Sequence, residues 1–203
     1  MVNIVTEIDD LVPVRHALIS VSDKAGLEAL VPGLIEINPD ILILSTGGTH
    51  GAIAKMIGTE KANHNLMQVS DYTQQQETQG GLVKTLDFKI YLGLLTETYN
   101  AAHQDDLTRT HAVPIDLVVC NLYPFGKTVE KQGVTLEEAR ANIDIGGPTM
   151  IRAAAKNYLR GASVVKPESY DLVLANMRKN DGATDLRMRF ILARQAFAHT
   201  AEY

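Results

Sequence analysis

Three short, largely apolar runs, His16–Val21, Ile41–Ser45 and Ile115–Asn121, constrain the fold of this chain more than any other feature. Each is too short for a helix of useful length, and each is apolar at successive positions rather than at every second one. That pattern belongs to strands covered on both faces, as in a parallel sheet. Segments of helical periodicity follow the first two runs, from Gly26 to Ile37 and from His50 to Ile57. Strands alternating with helices predict an α/β fold, a parallel sheet flanked by helices with right-handed crossovers. Ligands of such folds sit beyond the carboxyl ends of the strands. Pro32 lies inside the first helix and is expected to delay, kink or break it.

The remaining segments extend the pattern. Gln74–Gly81 is polar and reads as a loop, Leu82–Leu86 as a short helix and the apolar Ile90–Leu95 as another strand. Thr135-Leu-Glu-Glu138 has capping-box spacing and opens a helix to about Asn142. Gly146-Gly147-Pro148 places a proline at the first turn of a helix from Thr149 to Asn157. Ala162–Val165 is a last strand, followed by helices over Glu168–Asn180 and Thr184–Tyr203, while Met1–Arg15 receives no role. Pro124 ends the pairing of the third apolar run. No linker-like tract divides the chain, so one unit spanning residues 1–203 is expected.

Composition excludes several classes of function. The formal charge of −5 gives no general attraction to nucleic acid or an anionic membrane, so an anionic substrate needs a local site. One cysteine, Cys120, rules out an internal disulfide and fits a reducing compartment. No apolar run approaches the ~20 residues of a membrane span, and the acidic N-terminus lacks a leader pattern, so a cytoplasmic protein is expected. The six histidines show no metal-ligand spacing, and no metal is expected. No G-x-S-x-G elbow occurs, and Cys120 inside an apolar strand reads as a small core residue rather than a nucleophile.

Two strand-to-helix turns, Ser22-Asp23-Lys24 and Thr46-Gly47-Gly48-Thr49, offer hydroxyls, backbone N–H groups and helix N-termini, and the first adds an ammonium. Together they suit a phosphate; singly, each is equally an ordinary cap and turn. They match neither a dinucleotide fingerprint nor a Walker loop. Lys84 and Thr85 follow a Gly-Gly pair and place a cation and a hydroxyl on a closing segment, although a solvated lysine is the common case. Asp144 precedes Ile145-Gly146-Gly147, where N–H groups at a helix start could stabilise an oxyanion, or where the carboxylate could simply cap. Lys156 ends Arg152-Ala-Ala-Ala-Lys156, where it equally complements a helix C-terminus. Asn121 and Tyr123 bring an amide and a phenol to the mouth of a buried strand.

Taken in order, the motifs SVSDK, STGGT, GGLVKTL, CNLYPF, DIGGPT, RAAAKN and AFAHTAEY resemble the inosine monophosphate (IMP) cyclohydrolase domain of the bifunctional purine biosynthesis protein, over about Ala17 to Tyr203. The resemblance implies a methylglyoxal-synthase-like, three-layer α/β fold. It implies dehydrative ring closure of 5-formamidoimidazole-4-carboxamide ribotide to IMP, in a homodimer needing neither metal nor organic cofactor. It further implies a separate or fused formyltransferase as partner, a domain absent from these 203 residues. Carried over by motif, Ser22, Asp23, Lys24, Thr46, Gly47, Gly48 and Thr49 would hold the phosphate and ribose. Lys84 and Thr85 would contact substrate, Cys120 and Asn121 would line the base with Tyr123 nearby, and Asp144, Ile145 and Gly146 would face the reacting groups. Lys156 matches the family's proton donor and acceptor. Two positions depart from the usual G-R-V-K-T-L-H-P: Leu82 replaces arginine and Asp87 replaces histidine. The same fold resembles two alternatives, a phosphate-binding regulatory module of carbamoyl phosphate synthetase and methylglyoxal synthase. The CNLYPF and DIGG-RAAAKN segments favour the cyclohydrolase.

Overall fold

The computed structural model describes residues 4–75 and 84–203. Its centre is a parallel sheet of five strands, β2 (His16–Val21), β3 (Leu42–Ser45), β4 (Leu66–Gln68), β5 (Leu117–Asn121) and β6 (Ala162–Val164), in the order β4-β3-β2-β5-β6. The register pairs Ala17 with Ile43 on one side and with Leu117 on the other. The chain builds outward from β2 through β3 to β4, then returns to the far side of β2 to lay down β5 and β6. The carboxyl ends of β2 and β5 therefore flank the point where strand order reverses, where such sheets open a crevice.

Both faces of the sheet are covered, as the largely apolar runs predict. Ala17, Ile19 and Val21 pack with α1 (Leu27–Ile37) and α9 (Tyr170–Lys179) in one core, whereas Leu18, Val118 and Cys120 pack with α4 (Phe88–Leu95) and α8 (Gly146–Lys156) in the other. This is the expected three-layer α/β arrangement. Pro32 neither breaks nor delays α1. The bond that proline cannot donate would have gone to the carbonyl of Glu28, in the exposed first turn, where water substitutes.

Several elements differ from expectation. Ile90–Leu95 lies in helix α4 rather than a strand, because its buried positions Ile90, Gly93 and Leu94 follow helical spacing and Asp87 caps it by accepting from the Lys89 N–H at 2.7 Å. The short helix expected over Leu82–Leu86 has its first part outside the described residues, and Lys84 and Thr85 form a turn. Helix α2 runs from Gly47 to Asn65, with Gly58 at φ 78° interrupting it just after Ile57, the expected end. Helices α3 (Val69–Thr73), α5 (Ala101–Thr110) and α6 (Phe125–Val129) carry no strong sequence signal. The capping box at Thr135 is present at the head of α7 (Leu136–Ala141). A 3-10 turn over Pro167–Ser169 precedes α9.

The N-terminal segment also gains a role. Leu11–Pro13 (β1) pairs antiparallel with Ala183–Asp185 (β7), and the buried Arg189 of α10 (Leu186–Glu202) donates to the carbonyls of Asp9, Asp10, Tyr158, Leu159 and Thr184. Among the described residues no helix is long and apolar enough to cross a membrane.

Gly93 shows how closely α4 approaches the sheet. Its carbonyl accepts from Ile115 N–H at 2.9 Å, and a Cβ placed there would run into the Val113 carbonyl oxygen and the Ile115 side chain. Gly93→Ala is therefore expected to destabilise the fold by about 1–3 kcal/mol, read as a lower urea midpoint at unchanged slope.

Candidate functional site

Polar residues gather at the carboxyl ends of the three central strands. Ser20 and Thr46 share a hydroxyl hydrogen bond of 2.8 Å between the ends of β2 and β3. The buried Thr49 hydroxyl donates to the Val21 carbonyl at 3.0 Å and accepts from its N–H at 3.2 Å. Thr49 thus fastens the start of α2 to the end of β2. The first turn of α2, at Gly47 and Gly48, leaves N–H groups without intrahelical partners beside these hydroxyls. An anion there would meet N–H donors and the positive end of the helix.

Asn121, at the end of β5, is committed to its neighbours. Its Oδ1 accepts from the N–H groups of Ser22 and Asp23 at 2.6 and 3.0 Å, and its Nδ2 donates to the Asp23 carbonyl at 2.7 Å. It lines the cleft, yet its amide shapes the Ser22–Asp23 turn instead of pointing spare donors at a ligand. Asp23 does not line the cleft; its carboxylate accepts from Ala25 N–H at 3.0 Å and closes the turn. Lys24 remains beside the turn, its ammonium 3.4 Å from the Ser22 carbonyl.

The opposite wall comes from the turn that opens α8. Asp144 Oδ1 accepts from Gly147 N–H at 2.8 Å, so the carboxylate caps the helix. Its other oxygen lies so close to Gly147 that an added Cβ would sit 2.6 Å from it. The Lys84–Thr85 turn joins the two walls: a Cβ on Gly47 would lie 3.1 Å from the Lys84 ammonium, and one on Gly146 would lie 2.7 Å from the Thr85 hydroxyl. Glycine at these positions lets the segments close on one another.

The result is a cleft of about 470 Å³. It is lined by Ser22, Lys24, Thr46, Gly47, Gly48 and Thr49 on one side, by Lys84 and Thr85 across the top, and by Cys120, Asn121, Tyr123, Asp144, Ile145 and Gly146 on the other. Ile145 is 63% exposed and Tyr123 55%, which leaves apolar and phenolic surface at the mouth. Cys120 is buried in the floor, and that burial, with the Asp144 charge adding to it, pushes the thiol far above its usual range. Among the described residues no group of His, Cys, Asp and Glu is arranged to hold a metal.

Lys156 stands apart from this cleft. It is exposed at the last turn of α8, about 15 Å along the helix from Gly146 at 1.5 Å per residue. Sequence reading also passed over Ile143 and Met150, which line the cleft. Their signal was only adjacency to the motifs. Leu82, the first departure from the usual motif, lies outside the described residues, whereas Asp87 serves as the cap of α4.

A doubly covered parallel sheet with helix N-termini and hydroxyls gathered at its reversal point defines an α/β domain whose cleft suits a small anion. The comparisons give its relatives. Residues 26–149 match the family model for the MGS-like domain, and the chain belongs to that family. Residues 154–203 match the model for the AICARFT/IMPCHase bienzyme. The chain is 46% identical over 190 residues, 94% of its length, to the bifunctional purine biosynthesis protein PurH of Magnetococcus marinus, and it spans 34% of that relative. It is also similar to the crystal structure of ForH, with a TM-score of 0.75 and 28% identity over 93% of this chain and 94% of that one. The resemblance drawn from the ordered motifs is borne out by these matches.

Two measurements check the geometry. Asn121→Ala removes three hydrogen bonds from the Ser22–Asp23 turn; it is expected to cost about 1–3 kcal/mol of stability and to weaken phosphate binding, both read by titrating phosphate during thermal unfolding. A buried, high-pKa thiol is a poor nucleophile, so Cys120 is expected to resist a maleimide at about pH 8 in the native protein and to react promptly in denaturant.

Proposed function

We propose that this cleft performs the IMP cyclohydrolase reaction, closing the second ring of 5-formamidoimidazole-4-carboxamide ribotide by dehydration. The observation that carries the reading is the convergence of three motif groups on one cleft: Ser22, Lys24 and Thr46–Thr49 on the first wall, Lys84–Thr85 above, and Asp144–Gly147 with Tyr123 on the second. The matches to the bienzyme family model and to PurH support the same assignment. In this reading the chain works in purine biosynthesis in the cytoplasm, as one domain and as a homodimer. Its formylated substrate comes from a fused or separate formyltransferase.

The residues divide the work by charge. The nucleotide phosphate sits at the first turn of α2, against the Gly47 and Gly48 N–H groups, the Ser22 hydroxyl and the Lys24 ammonium. The ribose and imidazole then extend over Cys120 toward Tyr123 and Asp144. The carboxamide nitrogen attacks the formyl carbon, forming a C–N bond while the carbonyl electrons move to oxygen. The nitrogen of the carboxamide and that of the formamide each give up one proton, and the former formyl oxygen departs as water. Because nucleophile and electrophile share one ring, the site needs to orient the formamide rather than bring two molecules together.

Asp144 orients the carboxamide N–H, and Lys84 stabilises the alkoxide and supplies a proton to the departing oxygen. Lys156 has no part in this scheme within a single chain, since it stands at the far end of α8.

The test is ring closure by the purified chain, followed by ultraviolet absorbance, with no folate or metal added. Lys84→Ala is expected to lower turnover by about 100-fold or more, whereas Lys156→Ala is expected to change it little. A large loss in Lys156→Ala would show that a second copy completes the cleft. Absence of conversion by the unaltered chain, with IMP still bound, would replace the enzyme reading by a nucleotide-binding module.

A further inference from the structure

The AFAHTAEY segment at the end of α10 belongs to the ordered motifs, yet none of its residues lines the cleft. Tyr203 nevertheless reaches the wall that carries Asp144. Its hydroxyl accepts from Asp144 N–H at 2.7 Å and lies 3.4 Å from the Asn142 carbonyl, to which it donates. Its ring meets that of Phe125 edge to face, with centroids 6.3 Å apart at 61°.

These contacts fall where the chain lacks regular support. Helix α7 ends at Ala141 and α8 begins at Gly146, so Asn142–Ile145 has no ladder or helix to hold it. Asn142 and Ile143 close the last turn of α7 with N–H bonds to Ala139 and Arg140. Asp144 turns its N–H instead to Tyr203, which comes from another element. Its carboxylate is meanwhile bound to Gly147 N–H at 2.8 Å. Asp144 is thus held at two points: by its main chain from α10, and by its side chain from α8. Phe125 lies just beyond Tyr123 and Pro124, so the same tyrosine ring also abuts the segment leading from Tyr123.

We propose that Tyr203 is a positioning residue which, through its hydroxyl, fixes the Asp144 backbone and hence the placement of the Asp144 carboxylate in the cleft. The proposal rests on the cyclohydrolase reading for its effect on turnover, and on geometry alone for its effect on the Asn142–Ile145 segment. The phosphate end of the cleft is built on β2, β3 and α2 and does not touch Tyr203. Loss of the hydroxyl therefore acts on the chemical step and leaves nucleotide binding in place. A carboxylate displaced by a fraction of an ångström forfeits part of its orienting advantage, and displacements of about 1 Å cost on the order of 100-fold.

The experiment compares the unaltered chain with Tyr203→Phe, which keeps the ring against Phe125 and removes only the hydroxyl. Ring-closure kinetics, IMP affinity by calorimetry, and amide hydrogen exchange of Asp144 are measured on each. The expected result is a fall in kcat of about 10-fold, with KM and IMP affinity within about twofold and Asp144 N–H exchange accelerated. With Asp144→Ala in the background, Tyr203→Phe is expected to add no further loss. Unchanged kcat and unchanged exchange overturn the proposal, as does a loss confined to KM. If the unaltered chain closes no ring, the cyclohydrolase reading fails. The exchange rate at Asp144 then decides the inference, acceleration in Tyr203→Phe supporting it and an unchanged rate overturning it.

Discussion

Strand β2 is the central strand, with β3 on one side, β5 on the other and helices over both faces; Ala17, Leu18 and Ile19 have no exposed surface. A strand so enclosed has no place for an unpaired polar side chain, since burying one without a partner costs several kcal/mol. The enclosed stretch Ala17–Ile19 accordingly holds no polar side chain; His16 stands at the amino end beside Asp116, and at the carboxyl end Ser20 bonds to Thr46 and Ser22 N–H to Asn121. Even there the polar groups are first used to join the strands. Ser45 donates to the Ile19 carbonyl at 2.7 Å, and Thr49 and Asn121 bond to the main chain of Val21, Ser22 and Asp23. What is left over, chiefly N–H groups of α2 with the Ser22 hydroxyl and Lys24, faces the crevice. The half of the cleft proposed to take the phosphate thus follows from the burial of the sheet.

The other half has a different origin. The Asp144 wall lies between α7 and α8, outside the sheet, and its position depends on side chains that span long stretches of sequence. Helix α10 packs on α8 and β6 and brings Tyr203 to the wall. The start of α10 is itself fixed by Arg189, whose guanidinium gathers carbonyls from the N-terminal segment, from β7 and from the turn after α8. A buried cation is tolerable only when its donors are used, and here the partners are main-chain oxygens from three separate segments. Arg189 is therefore the knot that ties Asp9 and Asp10, in a segment left unassigned from sequence, to the helix that carries Tyr203.

Legibility in the sequence divides along the same line. Both faces of β2, β3 and β5 are apolar, so their runs stand out, and the turns that follow them could be located and given a chemistry. The capping box of α7 is equally local and was readable for that reason. Ile90–Leu95 was not, because a short apolar run has the same appearance in a buried strand and a buried helix, and Asp87 as a cap decides between them only once its geometry is known. The strands β1 and β7 pair through three residues each, too few to leave a period. Among site residues, those on the strand-end turns line one cleft, except Asp23, whose carboxylate closes its own turn. Asn121 could be placed but not given its actual use, which depends on the Ser22–Asp23 backbone across the sheet. Lys156 lies on the same helix as the Asp144 turn but at its opposite end, a separation that motif order conceals and helix length makes plain.

Among the described residues lining the cleft, only Lys24, Lys84 and Asp144 are ionisable as cation or carboxylate. On the proposed reading this economy is chemically reasonable. A phosphate is already gripped by backbone donors, which carry no desolvation penalty of a full charge and cannot change protonation. Ring closure joins two groups fixed on one imidazole, so little translational entropy remains to be removed. The remaining demand is angular. The formamide must be turned toward the carboxamide, and one cation must sit where the oxyanion forms. Such a requirement is met by rigid placement of a few groups rather than by many charges. That explains why glycines at 47, 146 and 147 matter as much as the functional side chains: each lets a charged or hydroxyl group approach closer than a Cβ would permit. Precision at the Asp144 wall comes from close contact, and one of those contacts is made by Tyr203, which does not line the cleft.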